Sequence, residues 1–383
     1  MIKKSRTLYV FVAILTVASV LLAATPVGAK PEVAATPAPV TIGTKDHPIK
    51  VLFVPSTDAN VIVSGGKIMA DALEKATGYK FEVSVPTSYA ATIEEMCASP
   101  TDTIGFIPGL GYVLANKLCG VDAAFKAVRY GSSVYWAEII VKRDSNFKTI
   151  KDLDGKKWGY GDVGSTSGYL VPLAMFKEAG IEPGEKVATG GHPQSVKAVY
   201  NGEVDFATVF FTPASVPEGV EKWKEGKDPD IPADLIKQCK VSDDKKKLMC
   251  GGYKVNDARA NIREEAPDVI EKVKILAVSP AIPNDTMSFG PKFPADVREK
   301  ISKALVEFAK TDDWKESIGK QDFYAWDGIA ETSDEEFDFV RQMVEAAGIT
   351  LESLGKQQII LGTGVHEICE LRFFVMKNGL FRK

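Results

Sequence analysis

Histidine is scarce in this chain: His47, His192 and His366 are the three among 383 residues. A metal site built on imidazoles has little to draw on, and His366-Glu367 lacks the second histidine of H-E-x-x-H. A phosphate-cradling loop needs Gly-Lys followed by Ser or Thr, and that tripeptide is absent. The nucleophile elbow G-x-S-x-G fails at 164-GSTSG-168, where Thr166 holds the middle position. After residue 24 no apolar run is long enough to span a membrane. Positive charge is also short, with 47 Lys plus Arg against 51 Asp plus Glu and a net charge of −4. That balance argues against nucleic acid or anionic lipid as a partner. Any bound anion must be held by a local site.

The N-terminus reads as an export signal. Lys3, Lys4 and Arg6 precede the uncharged run 8-LYVFVAILTVASVLLAA-24, and 27-VGA-29 supplies small residues for cleavage. The run is shorter than the roughly 20 residues of a spanning helix, so cleavage after Ala29 is expected rather than a membrane tether. Losing Lys3, Lys4 and Arg6 and no acid moves the net charge from −4 to −7. The first cysteine is Cys97, too far along to carry a lipid at the cleavage site. In an exported chain, five cysteines point to disulfides. The expected pairs are Cys97 with Cys119 and Cys239 with Cys250, leaving Cys369 odd.

Residues 30–48, rich in Ala, Pro and Thr, read as a disordered linker. From Ile49, short β-branched runs alternate with amphipathic helices: strand 49–56, helix 61–76, strand 81–85, helix 89–98, strand 102–107, helix 110–119. A second series follows the extended stretch 134–144, with a strand at 156–161, a helix at 193–202 and strands at 204–210 and 273–279. Helices at 294–310 and 333–347 come last. Alternation of this kind predicts an α/β fold with largely parallel sheets. The segments 89–106 and 193–210 share the order helix, small turn, Asp and apolar strand, with Asp102 and Asp205 in matching places. One sheet unit built twice gives two lobes.

The most informative stretch is 164-GSTSGYLVP-172. Ser165, Thr166 and Ser167 stand between two glycines, after a strand and before a helix. Ligands of open parallel sheets bind where strands run into helices. A helix start offers unpaired N–H groups and partial positive charge, and three hydroxyls exceed what one cap needs. Pro172 is tolerated best in a first turn, which predicts a regular helix beginning near Ser167 or Gly168. The pattern predicts an oxyanion site that uses no Lys or Arg.

That run, with 192-HPQSVKAVYNGEVDFA-207, 282-IPND-285, 50-KVLFVPSTDA-59 and 88-SYAATIEEM-96, strongly resembles the phosphonate/phosphite/phosphate-binding subunits of ABC importers. The likeness runs from about Ile49 to about Ile349. It implies a type II periplasmic-binding-protein fold, two lobes with a ligand cleft between them. Lobe 1 would comprise 49–137 and 286–354, and lobe 2 would comprise 138–285, with crossings near 134–141 and 283–289. It implies ligand contacts by Tyr89, Tyr112, Ser165, Thr166, Ser167, His192 and Asp285. It implies a phosphorus oxyanion as ligand, an ABC permease as partner, an extracytoplasmic location, a monomer, no cofactor and no catalysis. Members that take aminoalkyl phosphonates carry an additional acid after the strand matching 204–210, where Thr212 stands here. With Phe210 and Phe211 beside it, phosphate, phosphite or a simple alkylphosphonate is expected. Residues 216–262 read as an enlarged surface loop, and 355–383 lie beyond the resemblance. Two other roles fit the same residues: a ligand sensor docking on a membrane receptor, and a phosphoester hydrolase using Ser165 or Ser167 with His192.

Overall fold

Two six-stranded β-sheets organise residues 41–355, the part of the chain that the computed structural model describes. The export signal, most of the linker, Cys369 and the tail beyond Gly355 lie outside the described residues. The linker is expected to reach residue 48, but Thr41–Pro48 packs on the fold. Ile42 is buried, and Gly43 O accepts the Lys80 N–H, an interaction that an apolar and a glycine residue allow within a polar run.

In the first sheet, Ile49–Phe53 lies between the parallel strands Phe81–Ser84 and Thr103–Ile107. In the second, Trp158–Tyr160 lies between the parallel strands Lys186–Ala188 and Phe206–Phe211. The two trios have the same order, the duplication expected from the sequence. Each then gains antiparallel strands. Thr286–Phe289 adds to Thr103–Ile107, and Asp122–Val128 and Gly328–Glu331 follow it. Val134–Lys142 adds to Phe206–Phe211, with Val273–Val278 beyond it.

The stretch 134–141, expected as a crossing, lies in the strand Val134–Lys142, which pairs along its length within the second sheet. The chain crosses between Val128 and Val134 instead, and returns between Pro283 and Thr286. The outward crossing is a tight two-residue turn. Arg129 and Ser132 exchange both backbone hydrogen bonds around Tyr130 (φ 51°) and Gly131 (φ 76°). Positive φ at both central positions gives the hairpin twist that matches twisted strands. Glycine takes it freely; Tyr130 does not, and its half-buried ring lies against the Lys254 ammonium at 4.7 Å.

Both expected disulfides form, Cys97–Cys119 and Cys239–Cys250. The second joins neighbouring strands of a small antiparallel sheet, Cys239–Val241, Leu248–Cys250 and Tyr253–Lys254. The segment 216–262 is therefore more than a surface loop. Ile231, Leu248, Val255 and Ile262 are buried in the core of the second lobe.

The lobes are closed on each other. Leu110 N–H donates to Thr166 Oγ1 at 2.8 Å, and His192 N–H donates to Ser56 O at 3.3 Å. Arg263 makes a two-pronged pair with Asp322 at 2.7 and 2.9 Å, and its side chain is 4% exposed. A bidentate pair on a sheltered arginine is the strong kind of charged contact. Asp322→Asn is expected to leave the lobes folded while loosening their closure. Small-angle scattering of the variant without added ligand should show a larger radius of gyration than wild type; an unchanged radius would contradict this role for the pair.

Candidate functional site

The ends of the parallel strands supply the site. Val54, Ser56 and Thr57 follow the central strand of the first sheet, and Pro108 follows Thr103–Ile107. Ser165 and Ser167 follow the central strand of the second sheet, His192 opens the helix after Lys186–Ala188, and Phe210 and Thr212 close Phe206–Phe211. All of these line one cavity of about 70 Å³ between the sheets. The space is larger than the ~10–15 Å³ that a single water needs and leaves room for a small ligand.

The hydroxyl run sits at an unusual helix start. Thr166–Leu170 forms a wide π turn before the regular helix Val171–Ala179. Regular helix therefore begins about four residues later than expected, with Pro172 still in its first turn. Ser165 is the cap, its Oγ accepting from Gly168 N at 3.0 Å. The starting N–H groups of Thr166 and Ser167 have no place in the helical ladder. The three hydroxyls divide their tasks. Thr166 Oγ1 takes the Leu110 N–H from the other lobe, while Ser165 and Ser167 face the cavity. Gly164 allows the approach of Tyr89: a Cβ there would come within 2.5 Å of the tyrosine Cβ.

Tyr89, Tyr135 and Tyr324 also line the cavity. Burial, first of all, raises each phenol above its ordinary range, and the Asp285 charge raises them further. All three are neutral O–H groups at physiological pH. The Tyr135 phenol interacts with the Ser167 and Thr166 hydroxyls, and Tyr324 donates to Val54 O at 2.9 Å. Burial lowers the pKa of His192 to about 4, with Asp285 opposing and Arg129 reinforcing the shift. Its ring meets Phe210 edge-on, and Nδ1 is buried with no partner among the described residues.

The sequence reading missed Tyr135, Tyr324 and Arg129, and Arg129 changes the role of Asp285. Its guanidinium donates to Asp285 Oδ2 at 2.6 Å, Asn284 Oδ1 at 2.8 Å and Tyr324 O at 2.8 Å. Asp285 lines the cavity as half of an ion pair rather than as a lone carboxylate. Tyr112 stands elsewhere: its hydroxyl donates to Asp334 at 2.6 Å and its ring packs on Phe337. It lies one turn along its helix, facing the C-terminal segment, and is not among the lining residues. Phe211 likewise turns away, into Trp136 and Trp223, because successive strand residues face opposite sides. Asn256 and Asn261 of the enlarged loop reach the cavity as well. The turn 129-RYG-131 was the one available signal for Arg129; nothing in the sequence marked Asn256.

A family model described as ABC transporter, phosphonate, periplasmic substrate-binding protein matches residues 51–337. The chain belongs to this family. Within it, the chain is 30% identical to the phosphate-import protein PhnD of Mycolicibacterium smegmatis over 179 residues, 43% of this chain and 55% of that one. It is 23% identical to the phosphonates-binding periplasmic protein of Escherichia coli over 278 residues, 71% of this chain and 68% of that one. The chain thus spans about half of the first relative's length and about two thirds of the second's. Solved structures with the same fold include a binding component of an ABC phosphonate transporter from Pseudomonas aeruginosa. That one has a TM-score of 0.58 and 16% identity, and 82% of this chain and 96% of that chain are covered. Another is a Prochlorococcus marinus protein solved with methylphosphonate, with a TM-score of 0.59, 13% identity, and 78% and 98% of the two chains covered. The two lobes and the cavity between them are the family's periplasmic binding-protein fold. No helix among the described residues is long and apolar enough to cross a membrane.

The lowered pKa of His192 has a consequence for stability. The unfolded chain binds the imidazole proton near pH 6.5, the folded chain only near pH 4. Stability is therefore complete above pH 6.5 and falls as the pH drops toward 4. Between pH 7 and 4.5 this residue accounts for a loss of about 2–3 kcal/mol. Denaturant melts of His192→Gln should lose less stability over that interval by this amount. Equal losses in the two proteins would contradict a neutral buried ring.

Proposed function

We propose that the cavity captures a small phosphorus oxyanion outside the membrane, and that the chain hands it to an ABC permease. The observation that carries this reading is the convergence of neutral donors on one small cavity of about 70 Å³. Ser165 and Ser167, the helix start beneath them, Tyr89 and Tyr135 offer O–H and N–H groups from both lobes. Donors fixed in a site that excludes water bind an anion with little reorganisation, and hydrogen bonds to a charged group are worth about 1.5–3 kcal/mol each. The names of the two relatives, one for phosphate import and one for phosphonates, agree with this ligand class. Export by the N-terminal signal and action as a single chain complete the reading.

The substituent on phosphorus is small. Phe210 and Thr212 line the cavity, Thr212 about where the family resemblance would put the acid of an aminoalkyl-binding member, and Asp285 is already paired with Arg129. An ammonium brought there would be buried without a carboxylate, which is costly. The chain is read as a binder rather than a hydrolase. His192 lines the cavity with the serines, but no carboxylate among the described residues is bonded to its Nδ1. The ring therefore lacks the group that orients a catalytic base.

Titration calorimetry on residues 30–383, stripped of ligand by reversible unfolding, tests the reading. At least one of phosphate, phosphite and methylphosphonate should bind more tightly than 2-aminoethylphosphonate. Ser167→Ala should weaken that ligand by roughly 10- to 100-fold, one charge-assisted hydrogen bond. Preference for the aminoalkyl ligand would overturn the size and charge argument. Unchanged affinity in the Ser167 variant would remove the hydroxyl run from the site.

A further inference from the structure

Asn256 comes from the segment 216–262, which lies outside the motifs that carry the family resemblance, yet it lines the cavity. Its side-chain nitrogen is fully engaged, donating to Pro213 O at 2.8 Å and Ser215 Oγ at 2.9 Å. The Pro213 carbonyl can only accept, so the amide orientation is set: nitrogen outward to the loop, oxygen the other way. The remaining atom, Oδ1, is buried and has no partner among the described residues. The residue as a whole is 3% exposed.

We propose that Asn256 Oδ1 is the acceptor that selects a ligand with an O–H on the fourth position of phosphorus. The proposal rests on the oxyanion reading above and narrows it to phosphate, in its hydrogen-phosphate forms, over alkylphosphonate and phosphite. The serines at the helix start and the phenols of Tyr89 and Tyr135 line the cavity and would serve as donors to three ligand oxygens. The fourth substituent then faces the side of the cavity formed by Phe210, Thr212 and Asn256, all at or beside the end of the strand Phe206–Phe211. A hydroxyl there donates to Oδ1. A methyl group or a hydrogen on phosphorus has nothing to give, and leaves a buried acceptor unpaired in the closed cleft, which is the expensive outcome.

The amide is held rigidly enough to discriminate. On one side Val255 N–H donates to Leu248 O, in the small sheet clamped by Cys239–Cys250. On the other, Asp257 is locked to the fully buried Arg259 through 2.9 and 3.0 Å hydrogen bonds, and Arg259 is held in turn by Asp230 at 2.7 Å. A polar group fixed before binding adds selectivity because it cannot turn away from the wrong ligand. The enlarged segment is thereby a specificity element of the site.

Phosphate and methylphosphonate differ at this position by O–H against CH3, nearly the same volume, so their affinity ratio reads Oδ1 directly. Calorimetry on the wild-type chain should show phosphate binding at least about tenfold more tightly than methylphosphonate, and hydroxymethylphosphonate more tightly than ethylphosphonate. In Asn256→Leu the phosphate preference should fall to twofold or less. Equal wild-type affinities for phosphate and methylphosphonate would overturn the proposal, as would a ratio that Asn256→Leu leaves unmoved. If that variant does not fold, the two isosteric pairs on the wild-type chain decide alone. Silence of the wild-type chain toward every phosphorus compound would overturn the oxyanion reading with it; binding without the phosphate preference overturns this proposal only.

Discussion

Arg129 and Asp285 occupy the two places where the chain passes between its lobes. The guanidinium bonds the outward turn to the return segment through Asn284 and Asp285, and to the loop that carries Tyr324. Three segments far apart in sequence are tied at one planar group with a fixed fork of donors. The pair is largely sheltered, at 13% and 19% side-chain exposure, so loss of either member would leave a charge uncompensated. The geometry of the cavity follows from this tie. It holds the hinge beside the ligand space and sets the floor against which both lobes close.

The same pair settles the electrostatics. An unpaired Asp285 would repel an anion, and an unpaired Arg129 would bind any anion of suitable size. Together they bring no net charge, so under the proposed function an anion's charge would be met by hydroxyls, phenols and helix N–H groups instead. Burial keeps Tyr89, Tyr135 and Tyr324 protonated; the Tyr324 proton is spent on Val54 O, which leaves Tyr89 and Tyr135 as the phenols facing the space. His192, also neutral, adds no charge to a space that Phe210 narrows. Selection in such a site depends on geometry and on counting donors and acceptors, which an overall acidic chain can sustain.

Much of this was legible in the sequence because local patterns determine it. The parallel trios, the helix at 89–98, the hydroxyl run at a strand-to-helix junction and both disulfides follow from periodicity, turn chemistry and cysteine spacing. The residues that escaped are those placed by long-range packing. Tyr112 lies on a helix beside the cavity but is rotated onto Asp334, more than two hundred residues away. Phe210 and Phe211 read alike, and strand alternation sends one to the cavity and the other to the core. Arg129 and Asn256 reach the cavity only because the turn at 129–132 and the segment 216–262 fold back on it. The delayed helix start after Thr166 reflects a π turn, which no propensity rule signals.

The most direct test is a crystal structure of the chain grown with phosphate. The account predicts one anion between the lobes, within hydrogen-bond distance of Ser165, Ser167, Tyr89 and Tyr135, with Arg129 still paired to Asp285. An anion seated instead on Arg129, with that pair broken, or bound away from the serines, would contradict it.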